Sequence, residues 1–346
     1  MRGLARAAML TISKRRLLVC SITVSVIVAL LMWQGWQTLN SEITVDEPVQ
    51  LDVRPGSAFN TVLKQLTDSG LVVHPLPFKA YVFLNGYSSQ IKAGEYRFES
   101  TISPLAVLQK LLAGDVLQYK FTIVEGWTFR QTLDALSQLK DTLSVQAHIM
   151  SAEDIMKAVG SPELHPEGQF LPDTYQYVRG SSDVDLLVRA HRALNDFIAQ
   201  EWDKRDESIP IKTPYEALTL ASIVEKETGA AFERPEIAGV FMSRLKINMK
   251  LQTDPTIIYG LGESFDGDIR RKHLKQDTPY NTYTRHGLTP TPIAMAGKAA
   301  IRAVLHPAET KALYFVSRGD GTHKFSATLE EHEAAVDKYQ RKRKSK

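Results

Sequence analysis

Apolar residues recur at helical spacing from Thr213 to Gly229, in TPYEALTLASIVEKETG. Ala217, Leu218, Leu220, Ala221, Val224 and Thr228 give this predicted helix one apolar face. Thr213 and Glu216 form a capping-box pair around Pro214, which suits a first helical position, and Gly229 supplies the stop signal. Glu225 projects at the border of the apolar face, beside Leu218, Ala221 and Ser222. A carboxyl there is partly desolvated and keeps a proton more readily. Glu227 lies about as far from the apolar centre on the other side, near Ile223 and Glu216. Spacing alone also fits a solvated charged edge formed by Glu225, Lys226 and Glu227. The small neighbours of Glu225 leave room for a ligand, which tilts the choice slightly towards it.

Other stretches follow two alternating designs. Leu51 and Val53 predict a strand, Pro55-Gly56 a turn, and Phe59, Val62, Leu63 and Leu66 a helix face closed by Gly70. Seventy residues later the design returns, with Phe121, Ile123, Gly126, Phe129, Leu133 and Leu136 in the matching places. Between the two copies lie a strand candidate, Ile91–Glu99, and a helix, Pro104–Ala113, closed by Gly114. The strand–turn–helix pattern resembles the LysM type of glycan-binding module. Residues 140–212 read as helical, with Ser151–Val159 and Asp183–Arg205 split by the Pro/Gly-rich loop SPELHPEGQFLPDTYQY. That loop's Glu167, Gln169, Asp173, Tyr175 and Tyr177 suit a sugar groove or an ordinary surface connection. Pro235–Lys246 is a second helix, Thr253-Asp254-Pro255 a turn or helix start, Ala299–Leu305 a short helix and 312–318 a buried strand. Residues 279–297, PYNTYTRHGLTPTPIAMAG, fit neither helix nor strand, and a loop of that length inside a domain points to function.

The longest apolar run, Leu17–Trp33, changes the setting. With Gln34–Trp36 at the interface it is long enough to span a bilayer, and Trp33 and Trp36 suit the headgroup level. Five basic residues precede it, which places the N-terminus in the cytoplasm and the body outside. Bulky LMWQGW, without a small-residue cleavage site, argues against a cleaved signal peptide. Cys20 is the sole cysteine, so no internal disulfide forms. The formal charge of +3 conceals an uneven distribution: five basic residues in 1–16 and six in 338–346, with no acid in either stretch. The remainder holds 31 basic against 39 acidic residues, the reverse of a nucleic-acid-binding surface.

No phosphate-binding loop, dinucleotide fingerprint, H-E-x-x-H or G-x-S-x-G motif is present, and the nine scattered histidines make no metal set. Neither metal nor cofactor is expected. Between 225 and 283 Glu, Asp, Gln, Asn, Thr and Tyr recur, a mixture suited to carbohydrate.

LTLASIVEKET, then LQTDPTIIYG, YNTY, GLTPTPIA, HPAET-ALYFV and H-FSAT-EH, in this order, resemble the endolytic murein transglycosylases of the YceG-like family. The resemblance covers roughly residues 45–337 and implies an α+β protein with one N-terminal transmembrane helix, a small LysM-like unit and a mixed α/β catalytic domain. The expected divisions are a basic N-terminus (1–16), the transmembrane helix (17–36), a linker (37–48) and the LysM-like unit (49–118). A second strand–helix unit with its helical connection (119–212), the catalytic domain (213–337) and a basic tail (338–346) follow. By the same resemblance the catalytic acid is Glu225; Glu227 is the alternative that helix spacing leaves open. Gln252, Thr253, Asp254, Tyr280, Asn281, Thr282 and Tyr283 are expected to bind or orient the sugars. Thr289 and Ala296 stand where the family usually has prolines, which bears on the rigidity of the groove loop. The implied reaction cleaves the bond between N-acetylmuramic acid and N-acetylglucosamine and leaves 1,6-anhydro ends in nascent strands. The implied neighbours are membrane-bound peptidoglycan synthases (penicillin-binding proteins), in an inner membrane facing a periplasm. Two rivals stand beside this reading: a two-carboxylate muramidase using Glu225 with Asp254, and a non-catalytic glycan-binding scaffold.

Overall fold

The computed structural model describes residues 2–341, with side chains from Leu18 onward. The side chains of the N-terminal basic cluster, and residues 342–346 of the basic tail, lie outside the described set. Among the described residues the strands are short and pair only in twos, between helices, so the class is mixed α+β with small antiparallel sheets. The chain divides into two compact units at Gln118–Tyr119.

The first unit begins with one helix, Arg2–Asn40, in which Leu18–Asn40 (mean hydropathy 2.0) is long and apolar enough to cross a membrane. The helix runs on past Trp36, so the expected linker is shorter, and Ile43–Thr44 pairs with Thr101–Ile102. Val49–Val53 pairs antiparallel with Gly94–Phe98, Leu51 opposite Tyr96. Helices Phe59–Asp68 and Pro104–Ala113 cover this ribbon, and Leu66, Phe98 and Leu111 are fully buried in the core. Helix Pro75–Leu84 adds Phe78 and Val82 to the same core. Pattern reading misses this helix, because its two early prolines resemble a loop.

The second unit opens with the repeat of the first design. Tyr119–Thr122 pairs antiparallel with Thr174–Tyr177, a strand that the Pro/Gly-rich loop conceals. Gly56 and Gly126 occupy equivalent left-handed turns, φ 78° and 77°, each followed by a helix that starts at a phenylalanine. Only glycine adopts that conformation at little cost. The second helix, Phe129–Ser137, carries a full capping box between Thr128 and Gln131.

Helix Pro214–Glu227 is the hub of the second unit. Arg234–Lys246 and Lys298–Leu305 pack against it, and Asp183–Trp202 lies alongside. All eight residues from Ala217 to Val224 are buried, so burial extends all round this part of the helix instead of along the expected single apolar face. Thr219 and Ser222 fit there because their hydroxyls bond back to the carbonyls of Tyr215 and Thr219. Two further details differ from expectation. Glu216 accepts from the Lys212 amide rather than from Thr213, and the helix ends as Thr228 turns extended, with Gly229 outside the left-handed region. A side chain at Gly239 would collide with the Ala308 carbonyl, so this glycine lets the following segment dock against Arg234–Lys246. A hairpin, Tyr314–Ser317 with His323–Ser326, and helix Leu329–Val336 complete the unit.

Candidate active site

Successive helical side chains point about 100° apart, so Glu225, Lys226 and Glu227 enter three different surroundings at the exit of the hub helix.

Glu225 is held from two sides. Arg234 Nη2 lies 2.7 Å from Glu225 Oε1, and the Gly297 amide donates to Oε2 at 3.0 Å. The side chains of Glu225 and Arg234 are only 5% and 9% exposed. The same Arg234 nitrogen lies 3.5 Å from the half-exposed carboxylate of Glu125. The Glu125 side chain lies directly over Gly297. Burial raises the Glu225 carboxyl, the Gly297 amide and Arg234 pull it down, and Glu125 pushes it up; the net direction is upward.

Lys226 reaches over Gly126 and donates to its carbonyl at 3.1 Å.

Glu227 accepts a hydrogen bond from the Thr253 hydroxyl, and among the described residues no cation lies within ion-pair distance of it. Burial drives its carboxyl upward and the neighbouring charge of Asp254 adds to this, against the pull of Thr253, His323 and Arg244. Asp254 accepts from the Tyr283 hydroxyl at 2.6 Å, and this pair opens to solvent. Desolvation and the hydrogen bond to Asp254 hold the Tyr283 phenol in its neutral form. Arg244 is buried and spends its donors on the carbonyls of Leu313 and Leu251, which fixes a positive charge nearby.

The residues expected to bind sugar separate into three groups. Thr253, Asp254 and Tyr283 gather beside Glu227, not Glu225. Exposed Gln252 adjoins them in a left-handed conformation (φ 50°), its amide tied to the Thr282 carbonyl. Asn281 and Thr282 are buried and organise the loop. Asn281 Nδ2 donates to the carbonyls of His273 and Gln276 at 3.0 and 2.7 Å, and its Oδ1 accepts from the Tyr283 amide. The Thr282 hydroxyl accepts from the Thr253 amide and bonds Thr256. Tyr280 packs edge-on against Tyr259, with ring centroids 4.9 Å apart, and lines a separate cleft.

That cleft, about 760 Å³, is walled by Phe129, Ile258, Tyr259, Tyr280 and Lys226, with Glu167 among its lining residues. Glu167 is only 4% exposed and accepts from the Phe129 amide at 2.9 Å. Burial moves its carboxyl from 4.5 up to about 7, despite hydrogen bonds from Phe129 and Tyr259. Sequence pattern supplies no signal for Glu125 and Arg234, whose meeting with Glu225 depends on tertiary packing. Among the described residues no group of three or more His, Cys, Asp or Glu is placed to hold a metal.

A desolvated carboxylic acid beside a second acid, with an aromatic cleft close along the chain, is equipment for proton transfer on a polar ligand. Among similar proteins, an endolytic murein transglycosylase of Bacillus subtilis is 31% identical over 311 residues, covering 84% of each chain. One from Streptococcus pneumoniae is 28% identical over 87% of this chain, which spans 61% of the relative's length. The crystal structure of a YceG-like protein from Listeria monocytogenes superposes with a TM-score of 0.54 at 29% identity, covering 84% of this chain and 99% of that one. The YceG-like family model matches residues 51–338, and the chain belongs to this family.

Proposed function

We propose that the protein is a membrane-anchored endolytic murein transglycosylase in which Glu227, rather than Glu225, moves the proton. Support for the activity comes from the curated relatives of that name and from the family assignment. Support for the choice of acid comes from one contrast. Both oxygens of Glu225 are engaged by donors, one of them a guanidinium, as an ionised carboxylate requires. Glu227 has a neutral hydroxyl for a partner and an acid for a neighbour, so it is the carboxyl better suited to hold a proton.

On this reading, protonated Glu227 donates to the oxygen linking N-acetylmuramic acid to N-acetylglucosamine, and the C1–O bond breaks. The carboxylate then takes the proton of the muramic acid C6 hydroxyl as that oxygen bonds C1, closing a 1,6-anhydro ring and restoring the acid. Nucleophile and electrophile belong to one sugar, so no water has to be positioned. Arg244 offsets the negative charge between the two steps, and Asp254 with Tyr283 orients the muramic acid at the solvent side. The LysM-like strand–turn–helix of the first unit gives a second hold on the polymer. The span keeps the enzyme next to newly made strands and the membrane-bound synthases, on the outer face, where it limits strand length.

The test is mass spectrometry of murein sacculi digested by the full chain and by Glu227→Gln. Anhydro ends that vanish with the variant are expected. Reducing ends carrying water oxygen indicate a muramidase, and binding without release indicates a scaffold; either result overturns the reading.

A further inference from the structure

The aromatic cleft beside Lys226 takes no part in the proton transfer, yet it has the features of a ligand site. Its volume lies within the range of small-molecule sites, it is mostly apolar, and it holds a few convergent polar groups. Glu167 is the most informative of these. Its buried carboxyl accepts from the Phe129 amide and also takes the Tyr259 hydroxyl from the cleft wall, so a ligand group shares it with these two donors. Among the described residues no Lys, Arg or His forms an ion pair with it, and Lys226 acts only at longer range. With its carboxyl at about 7, Glu167 near neutral pH accepts from an N–H when ionised and donates to a carbonyl when protonated. A secondary amide offers both partners. The walls beside it, Phe129, Ile258 and the Tyr259–Tyr280 pair, suit a methyl group or an apolar sugar face.

We propose that this cleft is a recognition subsite for a methyl-bearing secondary amide of the substrate, read by Glu167 against the Phe129, Ile258 and Tyr259 walls. Such an amide occurs in the acetamido group of the sugars and in the alanyl end of the peptide stems. The proposal rests on the murein reading for its choice of ligand, but its test does not depend on cleavage.

Binding is measured by calorimetry on the full chain in detergent, in a Glu227→Gln background, with chitotetraose and its fully de-N-acetylated counterpart. The acetylated tetramer should bind about tenfold more tightly. Glu167→Gln, which keeps an acceptor for the Phe129 amide, should narrow that preference. Ile258→Trp, which fills the cleft from a half-buried wall position, should abolish it. Equal binding of the two tetramers, tighter binding of the de-acetylated one, or an unchanged preference in Ile258→Trp overturns the proposal. A free alanyl stem peptide separates the two sources. Competition that disappears in Ile258→Trp assigns the amide to the stem, and no competition beside a retained tetramer preference assigns it to the sugar. If Glu227→Gln still cleaves sacculi while the preference holds, the choice of acid has failed and the subsite stands.

Discussion

Glu225 and Glu227 are two residues apart, and the same substitution should do different things to each. Glu225→Gln leaves Arg234 buried with only the more distant Glu125 for compensation. Breaking a buried pair in this way costs about 3 kcal/mol, or a Tm lower by about 6–12 °C for a unit of this size. Glu227→Gln keeps an acceptor for Thr253 and removes a buried acid next to Asp254. Its Tm should therefore stay close to the parent, while kcat falls by about 10²–10⁴. Thermal unfolding and sacculus digestion on both variants check this pair of outcomes, and an active Glu227→Gln beside a stable, inactive Glu225→Gln would reverse the roles. Glu167 makes a separate prediction about pH. Its folded carboxyl is raised from 4.5 to about 7, so between those values the folded chain binds more protons than the unfolded chain. Stability from this group is full below about pH 4.5 and is lost as pH rises through about 7, a change of about 1–3 kcal/mol. Glu167→Gln should flatten that fall. The measurement is the difference in Tm between pH 5 and pH 8, compared with the parent.

At the scale of elements, the long loop at 279–297 gives Asp254 and Tyr283 their positions, and Asn281 is its organiser. Asn281→Ala removes the donors that bridge His273 and Gln276 and the acceptor that fixes the Tyr283 amide. A local loss of about 2–3 kcal/mol is expected. Hydrogen exchange at residues 272–285 should quicken well before global unfolding changes, with kcat/KM falling about tenfold. The same loop shows what could be read in advance. Its irregularity was legible, because Pro, Thr, Tyr and Asn at that density exclude regular structure. Helix Pro104–Ala113 matched its residues, and the two strand–turn–helix copies were visible because their periodicity and left-handed glycines are local features. Strand Thr174–Tyr177 was hidden, since only its partner Tyr119–Thr122 makes it a strand. For the same reason, Arg234 on Glu225 and Thr253 on Glu227 could not be foreseen. These contacts separate two glutamates that spacing left nearly equivalent.

At the scale of the molecule, the body's chemistry gains its meaning from the first helix. Leu18–Asn40 has 23 residues, about 34 Å of helix against a hydrocarbon core of about 30 Å. Such a span fixes the body to one surface, and the basic residues before it predict which one. The lone Cys20 makes this directly measurable once it is replaced by serine. In that background Ser41→Cys, just past the helix, should react with a membrane-impermeant maleimide in intact spheroplasts. Ser13→Cys, inside the basic cluster, should react only after permeabilisation. Labelling in the opposite order would put the body inside, away from murein, and would exclude the proposed activity whatever the geometry of Glu227. Labelling of both positions without permeabilisation, with release of the protein by alkaline carbonate, would instead mean that the helix does not span. The proposed confinement to new strands would then fail, because tethering raises the local concentration of active site at the membrane only if the anchor holds.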